Sequence, residues 1–183
     1  RLATGGRLGQ RPFDQRPLAG VAARPDGLGE PDPARLRDLV LVGHDDGDRR
    51  ELTYADLQAE IVRFANALKE LGVRKGTKVA IYMGMVPELA IAMLACTRLG
   101  APHTVVFGGF SADSLSGRIN DMGCTVLVTQ DEAWRRGSKV PLKQIADEAM
   151  GDAPGIEACV VLRRTEGEVS MERGRDVFWN EVV

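Results

Sequence analysis

The sequence predicts an α/β fold, a parallel sheet with helices on both faces, preceded by an irregular N-terminal arm. Three observations carry that reading. From Thr53 onward, short apolar runs rich in β-branched residues alternate with segments of helical period, the order that βαβ units require. The apolar runs are continuous rather than alternating, as in strands buried on both faces. The connections are short and punctuated by glycine, so successive elements pack as neighbours. No stretch repeats another in sequence, so the alternation reflects fold class alone.

The elements follow in order. Residues 1–50 read as the arm and residues 51–183 as the α/β part. Arg1 to Arg37 is rich in Gly, Pro, Ala and Arg, with Phe13 as its one aromatic, and such a stretch buries little by itself. Leu39 to Val42 reads as a strand, and His44-Asp45-Asp46-Gly47-Asp48 as a turn into Glu51-Leu52-Thr53. Thr53 and Asp56 make a capping box. Leu57, Ile61, Phe64, Leu68 and Leu71 then form one apolar helical face, closed at Gly72. Val79 to Met83 is the next strand, and Pro87 opens a helix through Leu99 that is apolar on nearly all sides and is therefore expected to be buried on several faces. Thr104 to Phe107 is a strand, Ser111 caps a helix over Ala112–Met122, and Thr125 to Thr129 is a further strand. Gln130 to Lys139 reads as a polar loop, Pro141 starts a helix through Met150, and Ala158 to Leu162 is a last strand before Asp176-Val177-Phe178-Trp179.

Composition excludes several classes. The 183 residues are 44% hydrophobic and 27% charged with a net charge of −2, so no global field favours nucleic acid or an anionic membrane. The longest apolar run, Leu89 to Cys96, is far short of a membrane span. Cys96, Cys124 and Cys159 are widely spaced within apolar runs, which argues against a disulfide framework or a metal site and for reduced thiols in the cytoplasm. His44 and His103 have no partners at metal spacing. The chain opens on Arg1, with neither a methionine nor the apolar core of a signal peptide, which points to a piece of a longer polypeptide.

Two loops are candidates for chemistry, because ligands of open parallel sheets bind where strands end. Phe107-Gly108-Gly109-Phe110-Ser111 follows a strand and precedes a helix. Its glycines let a ring or phosphate approach the backbone, and exposed N–H groups there favour an anion, although a glycine pair alone also suits a plain tight turn. Trp134-Arg135-Arg136-Gly137-Ser138-Lys139 follows the next strand and puts three cations and a hydroxyl within five residues, a composition suited to phosphate or to a solvated basic turn. Together the loops should open at one sheet edge, as an adenine nucleotide with an extra phosphate requires. Ser111 reads as a cap rather than a nucleophile, Asp131-Glu132 and Asp147-Glu148 as helix-end or solvated charges, and Met83, Met85 and Met93 as core filling.

A family resemblance rests on longer strings. Leu52-Thr53-Tyr54-Ala55-Asp56-Leu57, Phe64-Ala65-Asn66-Ala67-Leu68 and Gly72-Val73-Arg74-Lys75-Gly76 resemble the opening of the adenylate-forming synthetases. Ala80-Ile81-Tyr82-Met83 with Pro87-Glu88, Gly100-Ala101-Pro102-His103 and Val105-Val106-Phe107-Gly108-Gly109-Phe110-Ser111 narrow the likeness to the acetyl-coenzyme A synthetase family. Thr129-Gln130-Asp131-Glu132, Pro141-Leu142-Lys143 and Gly174-Arg175-Asp176 near Trp179 agree, so the likeness runs from Glu51 to Val183. Before Glu51 only Gly5-Gly6-Arg7-Leu8 and Phe13-Asp14 follow the pattern.

The resemblance implies part of the large N-terminal domain of an adenylate-forming enzyme, an AMP-forming acetate–CoA ligase. In such an enzyme acetate attacks the α-phosphate of ATP, giving acetyl-adenylate and pyrophosphate. The thiol of coenzyme A (CoA) then displaces AMP. The partners implied are small molecules, acetate, ATP and CoA, with Mg2+ on the phosphates. The CoA nucleotide would lie against Phe107, Gly108, Gly109, Arg135, Arg136, Gly137, Ser138 and Lys139. Ser138 departs from the family, which often has a second basic residue there; Arg136 or Lys139 is expected to supply that charge. The family's phosphate loop, acetate pocket and catalytic lysine do not occur, so no catalytic or metal residue is assigned and the chain alone is expected to be inactive in ATP–pyrophosphate exchange. A propionate or other short-chain acyl ligase, and a stand-alone α/β nucleotide-binding or interaction module, are the alternatives.

Overall fold

The structure, a computed structural model, describes residues 38–42 and 49–183. The expected arm lies outside the described residues through Arg37, as does the turn at residues 43–48. Asp38–Val42 (β1) and Arg49–Thr53 (β2) pair antiparallel, from Asp38 opposite Thr53 to Val42 opposite Arg49. Both strands of the expected hairpin are present.

Tyr54–Glu70 (α1) begins at the capping box, where the Asp56 N–H donates to the Thr53 hydroxyl and the Thr53 N–H to the Asp56 carboxylate, each at 3.1 Å. Val79–Met83 (β3), Pro87–Leu99 (α2), His103–Phe107 (β4), Ala112–Met122 (α3) and Val126–Gln130 (β5) follow. Residues 130–139 differ from expectation. They include a β-hairpin, Ala133–Arg135 (β6) against Ser138–Val140 (β7), with Arg135 opposite Ser138. Its turn residues Arg136 and Gly137 have φ of 51° and 77°, the left-handed pair that matches the twist of a two-residue hairpin. Leu142–Gly151 (α4), Ala158–Leu162 (β8), Asp176–Phe178 (β9) and Trp179–Val182 (α5) complete the chain.

β3, β4, β5, β8 and β9 form one parallel sheet in the order β4-β3-β5-β8-β9. The sheet therefore starts in the middle, adds β4 to one side, then reverses and grows to the other. At such a reversal the connections leave β3 and β5 in opposite directions and open a crevice at the carboxyl ends of the strands.

Alternate residues of the central strands feed two cores. Val79, Ile81, Val126, Val128 and Val160 pack under α1 and α2, while Ala80, Tyr82, Leu127, Cys159 and Val161 pack under α3 and α4. On the first face the Phe64 ring stacks on Trp179 with centroids 3.7 Å apart and planes 15° from parallel, tying α1 to α5. Each large apolar side chain buried this way contributes roughly 1.5–3 kcal/mol.

α2 departs from expectation. Ile91, Ala92, Ala95 and Cys96 are buried against the sheet and α1, but Met93 and Leu94 are 37% and 43% exposed, because nothing among the described residues covers the helix's outer side. Met85, in the turn before α2, is exposed as well, so Met83 alone of the three methionines fills the core. β4 is an edge strand, with Val105 and Phe107 exposed. Among the described residues no helix is long and apolar enough to cross a membrane. Cys96, Cys124 and Cys159 are free and buried, and burial pushes the Cys96 thiol up to about 12.

Under α4 lies a buried ionic network. Lys143 Nζ donates to Asp147 at 2.6 Å and to the Ser170 carbonyl at 2.7 Å, and pairs with Asp176 at 2.9 Å. Arg175 Nε donates to Asp176 at 2.6 Å, and the Glu172 N–H to the same carboxylate at 3.0 Å. Asp147 is thus a network member and not a solvated charge. The network joins α4 to the start of β9.

Candidate functional site

Four connections meet at the carboxyl rim of the sheet and enclose a cavity of about 270 Å³. Gly84, Met85 and Val86 come from the turn after β3, and Phe107 and Gly108 from the end of β4. Gln130, Ala133, Trp134 and Arg135 come from β5 and the following hairpin, and Arg164 from the turn after β8. The cavity sits at the reversal point between β3 and β5.

Gln130 explains how that crevice keeps its shape. The β3·β5 ladder ends at the Tyr82–Thr129 pair. Beyond it the fully buried Gln130 side chain accepts the Gly84 N–H at 2.9 Å and donates to the Glu132 carbonyl at 2.6 Å. One amide thus spans two diverging connections, satisfying backbone groups that the sheet no longer pairs. One residue earlier, the Thr129 hydroxyl donates to the Tyr82 carbonyl at 2.9 Å.

The two loops singled out in the sequence lie on the same rim. The Arg135 guanidinium carbon is 5.1 Å from the Phe107 ring centroid. Phe107 meets Phe110 edge-on at 6.2 Å, and Arg118 of α3 lies 5.3 Å from the Phe110 centroid. Two exposed rings are therefore flanked by two guanidinium planes, an arrangement held by cation–π attraction that offers flat surfaces to a planar ring. Tyr82, buried in β3, anchors the turn by donating its hydroxyl to the Phe110 carbonyl at 2.8 Å. Burial pushes that phenol up to about 12 despite the opposing charge of Arg135.

The glycine turn differs from expectation in one respect. The N–H groups of Gly109 and Phe110 both donate to the Phe107 carbonyl, at 2.7 and 3.0 Å. They are used within the turn and form no anion cradle. The turn supplies close approach instead: a Cβ on Gly109 would collide with the Arg135 guanidinium and come within 2.9 Å of the Phe107 ring.

The cations are also distributed differently. Arg135 lines the cavity, whereas Arg136 and Gly137 form the hairpin tip and Ser138 and Lys139 begin the return strand. Lys139 pairs with Glu132 at 2.8 Å and lies 5.7 Å from the Trp134 centroid. The Lys139 contact, with a hydrogen bond from Thr165, holds the Glu132 carboxyl below its usual range. Among the described residues no group of three or more His, Cys, Asp or Glu side chains could hold a metal ion. Trp134 belongs to the second candidate loop, whereas Gln130, Arg164 and the turn at 84–86 were not sequence candidates. The strand order would have pointed to them, since it makes β3 and β5 the reversal pair.

A cavity at the strand reversal of a parallel α/β sheet is where proteins of this class bind ligands, and the family comparison places the chain. Residues 31–180 match the AMP-binding enzyme family, and the chain belongs to that family. More narrowly, it is 56% identical over 147 residues to an acetyl-coenzyme A synthetase of Rubrobacter xylanophilus, covering 80% of this chain and 23% of the relative. It is 48% identical over 143 residues to acetyl-coenzyme A synthetase 2 of Pseudomonas putida, covering 78% of this chain and 22% of the relative. Acetoacetyl-CoA synthetase from Streptomyces lividans shares the fold, with a TM-score of 0.67 at 24% identity over 74% of this chain and 20% of that one. The chain spans under a quarter of the length of these relatives.

Proposed function

We propose that the chain is part of an AMP-forming acetate–CoA ligase and contributes to the surface that binds the CoA nucleotide. The observation that carries the reading is the approach of Arg135 to the Phe107-Gly108-Gly109 turn on one rim. Phe107 and Phe110 present ring faces for the adenine, Gly108 and Gly109 keep side chains out of its way, and Arg135 supplies a planar cation to a phosphate. Arg136, Gly137, Ser138 and Lys139 complete the basic edge. The reaction is the two-step ligation of acetate to the CoA thiol through acetyl-adenylate. ATP and Mg2+ would be held by other parts of the ligase. Three buried thiols suit a reducing, cytoplasmic setting.

The test is charge reversal at Arg135 and Arg136 together in the full-length ligase. Affinity for CoA should fall at least tenfold, read by the KM for CoA, while ATP–pyrophosphate exchange with acetate continues. Unchanged affinity for CoA would refute the assignment.

A further inference from the structure

Of the cations in the basic hairpin, Arg135 lines the cavity and its two neighbours Arg136 and Lys139 do not. Lys139 is bound to Glu132, and Arg136 sits at the hairpin tip. A second arginine, Arg164 in the turn after β8, is also part of the cavity lining. We infer that Arg164 is a second anion-binding residue of this cavity and that buried Asp131 is the positioning residue that presents it. The inference rests on the CoA-nucleotide reading above.

The geometry of the turn supports it. Asp131 lies just beyond β5 and is 1% exposed. One carboxylate oxygen accepts the N–H groups of Glu132 at 2.7 Å and Arg164 at 2.9 Å. The other accepts the N–H groups of Thr165 at 3.0 Å and Gly167 at 3.2 Å, with the Thr165 hydroxyl at 3.4 Å. A buried carboxylate that accepts four backbone N–H groups fixes the chain that supplies them. It is not a solvated charge, and the sequence expectation for Asp131 is corrected accordingly.

The wrapping chain is itself constrained. Glu166 has φ of 57°, a conformation that persists in a non-glycine residue only where its surroundings over-determine it. A Cβ on Gly167 would come within 2.9 Å of the Glu132 carboxyl carbon. Glu132 accepts the Thr165 hydroxyl at 2.5 Å and pairs with Lys139 of the basic hairpin. Adjacent carboxylates thus hold both cation-bearing connections, Asp131 the one with Arg164 and Glu132 the one with Arg135. The neighbouring arginine goes elsewhere, for Arg163 lies 3.8 Å from the Phe178 ring centroid. Only Arg164 of that pair reaches the cavity lining.

The experiment uses the full-length ligase with R164Q, D131N, the double variant, and R135Q as reference, each assayed for KM with CoA and with ATP. R164Q should raise the ratio of the two KM values about tenfold, the loss expected for one charge-assisted contact. D131N should raise it by a similar factor, and the double variant no further than the larger single effect, because Asp131 acts through Arg164. Should D131N fail to fold, Thr165→Val loosens the same turn from outside the buried carboxylate and should raise the ratio two- to fivefold. An R164Q enzyme with the parent ratio would overturn the inference while R135Q still raised it. A parent ratio in both would overturn the CoA reading of the cavity itself.

Discussion

The molecule contains two concentrations of charge that look alike in sequence and behave oppositely in space. Under α4, Lys143 and Asp176 have side chains 1% and 0% exposed, and each is bonded to several partners. On the rim, Arg135 and Arg136 are exposed on a hairpin whose turn has positive φ. Buried charges survive only when their partners are complete, so the first group serves the fold. A ligand can compete only for charges that solvent already reaches, so the second group suits binding. Exposure thus separates the two roles where residue type does not.

The contrast breaks most visibly at Asp176. Asp176→Asn removes one partner of a buried pair and should cost about 3–5 kcal/mol, read by chemical denaturation, whereas Arg135→Gln should stay within about 0.5 kcal/mol, as surface changes do. Equal costs would erase the distinction.

Proton linkage sharpens the same comparison. Burial alone would raise the Asp176 carboxyl, but donors from Arg175, the Glu172 backbone and Lys143 outweigh it and hold it below 3.8. That contribution is present above the unfolded value and is lost as pH falls through the folded one. Burial likewise opposes the charge of Lys143, but Asp147 and Asp176 hold it above 10.5. Its contribution is complete below that value and is lost as pH rises through the folded one. Stability against pH should therefore fall at both extremes. Asp176→Asn should flatten the acid limb, and a parallel curve for that variant would deny Asp176 this role.

Tyr82→Phe tests the seam between the two regions. The ring stays in the core while the hydrogen bond to the Phe110 carbonyl goes, at about 1 kcal/mol. Because that bond fixes the glycine turn, affinity for CoA should drop with it. Lost stability with unchanged affinity would confine Tyr82 to the fold.

The elements that served the fold were the more legible. Thr53 with Asp56, and Ser111, mark helix starts through contacts a few residues long, and they fall where the sequence predicts. β6 and β7 were missed because each has three residues and their turn is Arg-Gly rather than the stronger Asn-Gly signal. Asp131 was misread because three of its four backbone donors come from a turn 33 to 36 residues further on. α2 was misread because its composition does not say which side will be covered. Periodicity reports local geometry, whereas the rim is made where distant connections meet.

Gly109→Ala should also change stability little, and it discriminates most finely between fold and site. Gly109 lacks a positive φ, so alanine meets no backbone strain, and the atoms nearest its Cβ are the ends of the Arg135 and Phe107 side chains. Both can move. The reduced freedom of the unfolded chain favours alanine by about 0.4–1 kcal/mol, so net stability should change by less than about 1 kcal/mol. Affinity for CoA should nevertheless fall several-fold, because Arg135 is displaced from the Phe107 ring and the flat approach is blocked. Denaturation and CoA titration on the same preparation separate the two effects. A loss of stability as large as that of Asp176→Asn would assign the glycine turn to the fold, and the division between buried framework and presented rim would fail at the residue where the two come closest.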